Sequence, residues 1–583
     1  MSTVYSEMTA DGRSLVLMAV GSPEELIYLN RHLQGLTPHF KQSDPPGALV
    51  TPLTWPTIVQ LTTLFRNTTW VKGPSLDAWV QEQALARAAE VPAELTVAVP
   101  SDFTPYPWQK TAAQMIARQQ RVLITDEMGA GKTNSAILGV LEWAQQRHAG
   151  QLPGPIVVVC PASVVDPWVE AFTRLASHLR IVAWRGPKRY RHLGKADVYV
   201  TSFDTARQDA KDTNKRKAAL IGLEPVGVVL DELHNIKSAT AKRRYAVKRI
   251  AASAQLFVAL SGTPITRDTA DLWTTLDILT PGAWPSRERW VHRYCLTTFD
   301  EYREYVLGLN PGAESEFRIA LMGQERRVAK ADVLAELPPK VYSIRTAEMP
   351  AKWREVYDAY ASDMLAELPD GEELSTMDTL AKLTHLQLLA CAAADVEYTT
   401  SITDDGLEKI HTHIKLKAPS WKVDALLELL DERPSGSAPV IVFASSKQLI
   451  DLAGAAVADS GRRVGYIVGG QTAKRRTETV KAFQAGELDV LLATTQAGGV
   501  GLTLTAADSI VFLQRPWSLV DSTQAEDRAH RPGSEQHESI QIVDIVTSNT
   551  LDAKIRAALK EKAGQLAELV KDPRIVAELL GGR

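Results

Sequence analysis

The stretch Val122–Thr133 reads VLITDEMGAGKT and indicates the fold of its region. A short apolar run, typical of a buried strand, leads into a glycine-containing turn, and a helical pattern follows. Gly129 and Gly131 would let backbone amides close around phosphate oxygens, with the positive end of the helix pointing at them. Lys132 would neutralise phosphate charge, and Thr133 would hold Mg²⁺ through its hydroxyl. The stretch departs from the strict GxxxxGK[ST] phosphate loop because an aspartate occupies the first glycine position.

The composition is that of a soluble globular protein with several domains. The chain has 583 residues, of which 45% are hydrophobic and 23% charged, and this excludes a largely disordered chain, a collagen and a coiled-coil rod. Cys160, Cys295 and Cys391 lie far apart, so we expect neither a disulfide framework nor a zinc site with four ligands. We recognise neither a leader peptide nor an apolar run of about 18 residues in this sequence, so we expect an intracellular, cytoplasmic protein.

The net charge of −4 conceals several basic clusters. They are Arg185–Lys195, Lys211–Lys217, Lys242–Arg249 and Lys474–Arg476. Such clusters can follow a phosphate backbone, although each one alone is equally typical of a solvated helix face.

Short β-branched runs alternate with helical segments in two parts of the chain, which predicts two parallel sheets covered by helices. The first set is Val122–Thr125, Ile156–Cys160, Ile181–Trp184, Val198–Thr201, Val226–Asp231 and Phe257–Ser261. The second set is Val440–Phe443, Val464–Val468, Val490–Ala493, Ser509–Leu513 and Gln541–Val546. We therefore expect the α/β class. The expected domains are an accessory domain (1–95), a first lobe (96–284), mostly helical insertions (285–420), a second lobe (421–550) and a C-terminal helical brace (551–583).

Three further motifs contain candidate catalytic residues. VGVVLDELHN ends an apolar strand in Asp231 and Glu232, and carboxylates at the carboxyl end of a parallel strand lie where ligands bind in open α/β sheets. Asp231 can hold Mg²⁺ through water, and Glu232 can deprotonate an attacking water. The turn in VALSGTP can sense a γ-phosphate. In QAEDRAHRPG, Arg528 and Arg531 lie three apart on a predicted helix face, where they can neutralise charge on that phosphate.

The ordered series of motifs over about 103–550 resembles a superfamily-two helicase motor, most closely the Swi/Snf-type (DEAD/DEAH-like) branch of double-stranded DNA translocases. The motifs that carry the resemblance are PYPWQKTAAQMI, DEMGAGKT, DELH, SGTP, an LPPK segment (Leu337–Lys340), WKVDALLELL, VIVFASSKQ, GGVGLTL and RPWSLVDSTQAEDRAHRPG. It implies two RecA-like lobes that close on ATP and Mg²⁺ and grip DNA. The DNA would be duplex, forked or branched, bound without sequence preference by a monomeric motor that remodels it.

The resemblance also implies a role for individual residues. Gln109 would read adenine, Arg528 and Arg531 would be arginine fingers, and Gly501 would couple ATP to the DNA track. The loop Met128, Gly129, Ala130, Gly131, Lys132 and Thr133 would bind nucleotide, with Thr133 and Asp231 at the metal. The predicted DNA contacts are Pro161, Ala162, Ser163, Thr201, Ser202 and Thr494.

Some residues depart from the family pattern. Arg267-Asp268 and Thr503 stand where asparagine is common, and Ser534 replaces a glutamine. These changes leave the phosphate chemistry intact but bear on coupling to DNA. In the first 95 residues, VTPLTWPTIVQL faintly resembles a small DNA-structure-recognising domain of annealing helicases, although a tryptophan in that setting is more typical of core.

Three other functions remain open from the sequence. The same motor could separate strands of DNA or RNA. A nucleotide-switched binding protein is another class, against which the Asp231-Glu232 pair and both arginines argue. The motor subunit of a larger nuclease assembly would require a partner chain, because no nuclease centre is recognisable.

Overall fold

The computed structural model describes residues 3–36, 41–43, 48–210, 219–236, 238, 240–262, 269–299, 304–334, 336–366, 376–402, 408–434, 436–498, 502–553 and 555. The chain divides into two units, Met1–Val333 and Leu334–Arg583. The basic cluster Lys211–Lys217, Arg267-Asp268 and most of the expected C-terminal brace lie outside the described residues.

The N-terminal region is a small mixed sheet with helices. Its strands pair in the order β3-β4-β2-β1-β5, with β1 antiparallel to β2 and parallel to β5. The elements are β1 (Thr3–Met8), β2 (Ser14–Val20), α1 (Pro23–Leu36), β3 (Lys41–Ser43), β4 (Ala48–Pro52), α2 (Trp55–Leu64), β5 (Thr69–Lys72) and α3 (Pro74–Ala88), with a 3₁₀ turn at Phe65–Asn67.

The tryptophan of VTPLTWPTIVQL is a core residue. The Thr54 side chain caps α2 by accepting a hydrogen bond from Thr57 N (3.2 Å), and Trp55 is 7% exposed. The indole Nε1 donates to the carbonyl oxygen of Ile319, 2.8 Å away. Trp55 thus fastens the N-terminal region to the rest of its unit, and DNA recognition by this region stays a prediction.

The first lobe is a seven-stranded parallel sheet in the order β14-β6-β11-β10-β7-β9-β8. Its elements are α4 (Pro107–Gln119), β6 (Arg121–Ile124), α5 (Lys132–His148), β7 (Ile156–Cys160), α6 (Val165–Leu175), β8 (Ile181–Ala183), β9 (Val198–Ser202), α7 (Phe203–Ala210), α8 (Ala219–Gly222), β10 (Gly227–Leu230), α9 (Lys242–Ile250), β11 (Leu256–Leu260), α10 (Thr269–Leu279), α11 (Arg287–Tyr294), β12 (Cys295–Phe299), β13 (Glu304–Leu309), α12 (Glu314–Leu321), β14 (Glu325–Arg326) and α13 (Lys330–Val333). Three 3₁₀ turns lie at Ala162–Val164, Arg189–His192 and Leu233–Ile236. All six predicted strands are present, and β7, β10 and β11 are buried along their whole length.

The second lobe is a six-stranded parallel sheet in the order β15-β22-β21-β18-β20-β19. Its elements are β15 (Lys340–Ala347), α14 (Ala351–Ala366), α15 (Thr376–Leu389), β16 (Ala393–Ile402), β17 (Glu408–Lys417), α16 (Trp421–Asp431), β18 (Val440–Ala444), α17 (Lys447–Asp459), β19 (Val464–Ile467), α18 (Ala473–Gln484), β20 (Val490–Thr494), α19 (Thr495–Gly498), β21 (Ser509–Phe512), α20 (Leu519–Glu526) and β22 (Ile540–Thr547). The five predicted strands are all present, so the α/β class with two parallel-sheet lobes is confirmed.

The segment 285–420 differs from the expected helical insertion. It contains the hairpins β12-β13 and β16-β17, and it gives β14 to the first sheet and β15 to the second. The sequence patterns explain the difference. β17 alternates apolar and polar side chains with a period of two, which is typical of a strand and not of a helix. β14 spans only two residues and carries no apolar signal that could have predicted it. One of the two edge strands of each sheet, β14 or β15, therefore comes from this segment.

Among the described residues, no helix is long and apolar enough to cross a membrane.

Candidate active site

The predicted phosphate loop (Asp126–Thr133) follows β6 at the carboxyl edge of the first sheet. Gly129 has a φ of 84° and Gly131 a φ of 81°, a backbone region that side-chain-bearing residues enter at a cost. The helix α5 begins directly after them at Lys132. The first amide groups of a helix have no partner inside it, so this loop and helix present N–H groups suited to an anion.

The ammonium group of Lys132 lies over the turn. Its Nζ donates to the carbonyl oxygens of Asp126 (2.8 Å) and Glu127 (3.1 Å). These contacts hold the positive charge at the loop, where a bound phosphate would meet it.

Helix α4 supports the loop from one side. The indole Nε1 of Trp108 donates to the carbonyl of Ala130 at 2.9 Å. Gln109, predicted to read adenine, is 2% exposed, and its Nε2 lies 3.4 Å from the same carbonyl. Its Oε1 accepts from the backbone N–H of Tyr106 at 3.1 Å. Gln109 therefore joins the start of α4 to the loop, and adenine reading stays a prediction.

A segment that the sequence analysis missed supports the loop from the other side. Backbone N–H groups of Leu123, Thr125 and Glu127 donate to carbonyls of residues 324, 326 and 328, at 2.7 to 2.9 Å. Asp126, the residue in place of the first glycine, is 1% exposed and its Oδ1 lies 3.5 Å from Nε of Arg326. The support of the phosphate loop by this segment is visible only from contacts between residues distant in the chain, because the local sequence around Arg326 carries no signal for it.

The carboxylates of Asp231 and Glu232 follow β10, which is separated from β6 in the sheet by β11 alone. Burial and the neighbouring Glu232 carboxylate raise the pKa of Asp231 to about 6, whereas the Trp168 indole and the Lys132 ammonium act in the opposite direction. Glu232 has a φ of 55°, a strained conformation often found where function requires it. The two predicted catalytic segments thus meet at one edge of the sheet.

Trp168 is a second residue that the sequence analysis missed. It lies on α6, is 1% exposed, and its Nε1 donates to Oδ2 of Asp231 at 2.8 Å. A buried indole N–H needs an acceptor, and here the acceptor is the predicted metal ligand. The sequence signal was a tryptophan on an amphipathic helix, which by itself indicates only packing.

The third motif lies next to the phosphate loop. A Cβ added at Gly262 would come within 2.4 Å of Cγ of Met128, so only glycine permits this approach. Ser261 N donates to the carbonyl of Ile124 at 3.0 Å, at the end of β6. Thr263 and Pro264 of the motif lie outside the described residues.

The predicted DNA contacts of the first lobe fall after β7 and at the end of β9. Pro161, Ala162 and Ser163 start the 3₁₀ turn after β7. Ser202 accepts from Thr205 N at 3.2 Å and caps the start of α7. The Thr201 side chain is fully buried, and its hydroxyl donates to the carbonyl of Trp184 at 3.1 Å. Side chains alternate along a strand, so a DNA contact by Thr201 would have to use its backbone.

In the second unit, Thr494 ends β20 and is 8% exposed, and Gly501 lies outside the described residues. Trp517 is partly buried against the core of this unit.

The two arginines lie on a turn, not on the helix face that the spacing predicted. Helix α20 ends at Glu526, and the segment Asp527–Gly533, here called the arginine turn, follows it. Leu504 N donates to the carbonyl of Arg528 at 3.0 Å, which draws the chain out of the helical path. Arg531 Nη1 donates to Oγ1 of Thr503 at 3.0 Å. The motif containing Thr503 therefore contacts the arginine motif directly.

Buried ion pairs lie next to the arginine turn. Nζ of Lys340, from the LPPK segment, lies 3.1 Å from carboxylate oxygens of both Glu526 and Asp527. Arg515 pairs with Glu526 at 2.8 Å and with Asp544 at 2.6 Å. The carboxylates raise the pKa of Lys340 despite its burial. The segments that contain Lys340 and Arg515 thus converge on the residues that precede Arg528.

Comparison with known proteins identifies two domains in this chain. The SNF2-related domain matches residues 108–394, and the helicase conserved C-terminal domain matches residues 421–533. The chain is similar to the TATA-binding protein-associated factor MOT1 of Saccharomyces cerevisiae, at 27% identity over 503 residues that cover 76% of this chain and 26% of MOT1. It is also similar to the putative ATP-dependent helicase/translocase YwqA of Bacillus subtilis, at 25% identity over 78% of this chain and 47% of that protein.

The chain spans between about a quarter and about half of the length of these curated relatives. A solved structure, the Sulfolobus solfataricus SWI2/SNF2 ATPase core in complex with dsDNA, is 21% identical, with coverage of 81% of this chain and 96% of that chain and a TM-score of 0.38. The two matched domains follow each other in the order that the motifs predicted. The chain therefore contains an SNF2-related domain followed by a helicase conserved C-terminal domain, in agreement with the motif series.

Proposed function

We propose that this chain is an ATPase that uses hydrolysis to move along duplex, forked or branched DNA and to remodel it. The observation that carries the proposal is the meeting of Lys132, Asp231 and Glu232 at one edge of the first sheet. Acidic residues beside a glycine-flanked lysine at such an edge are suited to phosphoryl transfer, where catalysis consists mainly of positioning and charge stabilisation.

The residues present fit ATP and Mg²⁺. The backbone of Gly129 and Gly131 leaves space for phosphate oxygens, and Lys132 already holds its ammonium there through carbonyl contacts that phosphate oxygens can replace. Thr133 and Asp231 supply the oxygen ligands that Mg²⁺ prefers. When bound, the metal would neutralise charge on the phosphate oxygens.

The chain's own residues would then direct hydrolysis. Lys132 binds phosphate oxygens and opposes their charge, and Trp168 orients Asp231 through its indole hydrogen bond. Glu232 takes a proton from the attacking water as the water oxygen bonds to the γ-phosphorus and the bond to the bridging oxygen breaks. We propose Arg528 and Arg531 as arginine fingers on the strength of their motif, and Gln109 as the residue that recognises adenine.

We propose sequence-independent binding of DNA through its backbone. Ser163 follows β7 and Ser202 ends β9 in the first lobe, and the basic cluster Arg185–Lys195 belongs to the same unit. Contacts to phosphates carry no base information and weaken as salt rises. The relative YwqA of Bacillus subtilis is described as a putative ATP-dependent helicase/translocase. We also propose that this motor acts as a monomer in a bacterial or phage-infected cell.

The test is steady-state ATP hydrolysis at fixed salt with no nucleic acid, single-stranded DNA, blunt duplex, forked duplex and RNA. We expect the duplexes to stimulate hydrolysis. Glu232→Gln should reduce the stimulated rate by about 100-fold or more, since a general base contributes that much. Lys132→Ala should reduce it by about the same factor, because it removes the positive charge that stabilises the phosphate oxygens. Glu232→Gln should still bind ATP. Glu170→Gln, an exposed carboxylate change on α6, is the matched control and should hydrolyse at the wild-type rate.

Other results would contradict parts of the proposal. Full turnover in Glu232→Gln would remove it from the role of base. Stimulation by single strands or RNA alone, with unwinding of a tailed duplex, would favour a strand-separating helicase. A rate indifferent to every nucleic acid would contradict the DNA motor and direct attention to a nucleotide switch or a missing partner.

A further inference from the structure

A cavity of about 560 Å³ opens in the unit Met1–Val333, and its lining residues lie outside the phosphate loop. Its walls come from the end of α3, from α4 and from the segment around β14. Apolar side chains, among them Val91 and Met115, line part of it. The volume lies in the range of cavities that bind small organic ligands.

Four arginines line this cavity: Arg87, Arg118, Arg326 and Arg327. Glu325 is the one acidic side chain among the described lining residues. The Glu325 carboxylate already accepts a hydrogen bond from Oγ1 of Thr125 at 2.8 Å, and burial raises its pKa. Arg327 pairs with Glu127 outside the lining at 3.4 Å, so the excess of positive charge in the cavity comes from Arg87, Arg118 and Arg326.

Arg87 makes three hydrogen bonds of 3.3 to 3.4 Å to uncharged acceptors, one of them Oε1 of Gln83, and its guanidinium lies 5.5 Å from the ring centroid of Trp55. Its guanidinium donates to Gln119 Oε1 at 3.4 Å and to the carbonyl of Met322 at 3.3 Å, and its buried Nε has no hydrogen-bond partner within the described chain. Burial lowers the pKa of Arg87 to about 10. Arg118, on α4, is exposed and donates to the carbonyl of Glu90 at 3.2 Å. In the part of the chain described, neither arginine forms an ion pair.

Arg326 is only partly compensated. Its side chain is 12% exposed, and the distance from its Nε to Oδ1 of Asp126 is 3.5 Å, too long for a strong hydrogen bond. Its buried Nη1 has no hydrogen-bond partner among the residues that the structure describes. A buried guanidinium with unmade hydrogen bonds costs stability, and an anion in the cavity would recover part of that cost.

We propose that this cavity binds a small organic phosphate, with its phosphate group held by the arginines and its apolar part against Val91 and Met115. Arginine suits this ligand because its planar guanidinium offers two parallel hydrogen bonds to phosphate oxygens. The ligand would share Arg326 with Asp126, the first residue of the phosphate loop, so its binding would reach the loop through one side chain. The proposal does not depend on ATPase activity.

The test is calorimetric titration of the full chain with phenyl phosphate, whose ring matches the apolar wall. We expect one site with a dissociation constant of about 1 mM or below, as suits a ligand of this size. Arg118→Glu should weaken binding at least about tenfold, since it replaces a charge-assisted contact with repulsion. Arg66→Glu, an exposed charge reversal elsewhere in the same unit, should leave binding unchanged.

Two further titrations distinguish this cavity from the phosphate loop, and a phosphate ligand from a carboxylate. Lys132→Ala should retain phenyl phosphate binding, because the phosphate loop is a different site. Binding lost in Lys132→Ala and kept in Arg118→Glu would overturn the proposal, as would no saturable binding at all. Benzoate carries the same ring with a carboxylate, and equal affinity for benzoate would overturn the assignment to phosphates.

Discussion

The phosphate loop of the first unit and the arginine turn of the second are held in place by different means. The phosphate loop is fixed mostly by backbone: three N–H groups of residues 123–127 donate to carbonyls of residues 324–328, and Gly129 and Gly131 take conformations that favour glycine. Because main-chain groups do this work, most side chains of the loop remain available for ligands.

The arginine turn is fixed mostly by charged side chains. Lys340 and Arg515 reach Glu526, and Lys340 also reaches Asp527, where α20 ends. Each of these four side chains is at most 18% exposed. A buried charge pair tolerates the loss of one member poorly, since the remaining charge stays desolvated. We therefore expect the phosphate loop to be most sensitive to changes of its backbone conformation, and the arginine turn to be most sensitive to the loss of a charged side chain.

The largest expected effect is the loss of stability in Lys340→Met. This change removes the ammonium from the Glu526 and Asp527 carboxylates, and we expect the free energy of unfolding of the second unit to fall by about 3 kcal/mol. Urea unfolding followed by circular dichroism measures it. The control is Lys447→Met, which breaks an exposed pair of Lys447 and Asp451 and should cost about 0.5 kcal/mol or less.

A double-mutant cycle sharpens this prediction. Asp527→Asn in the Lys340→Met background removes a carboxylate that has lost its lysine partner and should recover part of the loss. Equal destabilisation in Lys340→Met and Lys447→Met would show that charges do not hold the arginine turn.

Gly131→Ala tests the backbone side of the comparison. A left-handed conformation costs an alanine about 1–2 kcal/mol, and its Cβ would come within 2.2 Å of Nε2 of Gln109. We expect affinity for ATP, measured with a fluorescent analogue, to fall about tenfold or more. Gly186→Ala is the matched control, because Gly186 has a φ of +72° but open space around it.

The control shows what an alanine with a positive φ costs where no other group is within 4 Å. Gly186→Ala should lower the melting temperature slightly and leave nucleotide affinity unchanged. Unchanged affinity in Gly131→Ala would show that the loop adapts, against the backbone interpretation.

The same contrast explains what the sequence could predict. The eleven strand predictions, the order of the lobes and the glycine-lysine loop follow from short-range patterns, since apolar runs and glycines act on their own neighbourhood. Arg326 and Trp168 were missed because each acts through a partner distant in the chain, Asp126 and Asp231 respectively.

The prediction that placed Arg528 and Arg531 on one helix face was wrong for a related reason. Spacing of three residues is typical of a helix, but the contact from Leu504 to Arg528 comes from a distant turn and ends the helical path early. This hydrogen bond joins residues that are distant in the chain, so a short stretch of sequence could not have predicted it.

The smallest expected effect comes from Thr503, which replaces an asparagine common in the family. Its hydroxyl accepts from Arg531 Nη1 at 3.0 Å, in an exposed position where one hydrogen bond contributes about 0.5–1 kcal/mol. Thr503→Ala should therefore lower the DNA-stimulated kcat about threefold without changing the melting temperature, since Arg531 would lose one of the contacts that orient it. Thr503→Asn restores an acceptor and should recover the rate. If both variants were equally slow, the hydroxyl would not position Arg531, and the arginine turn would depend on its buried charges alone.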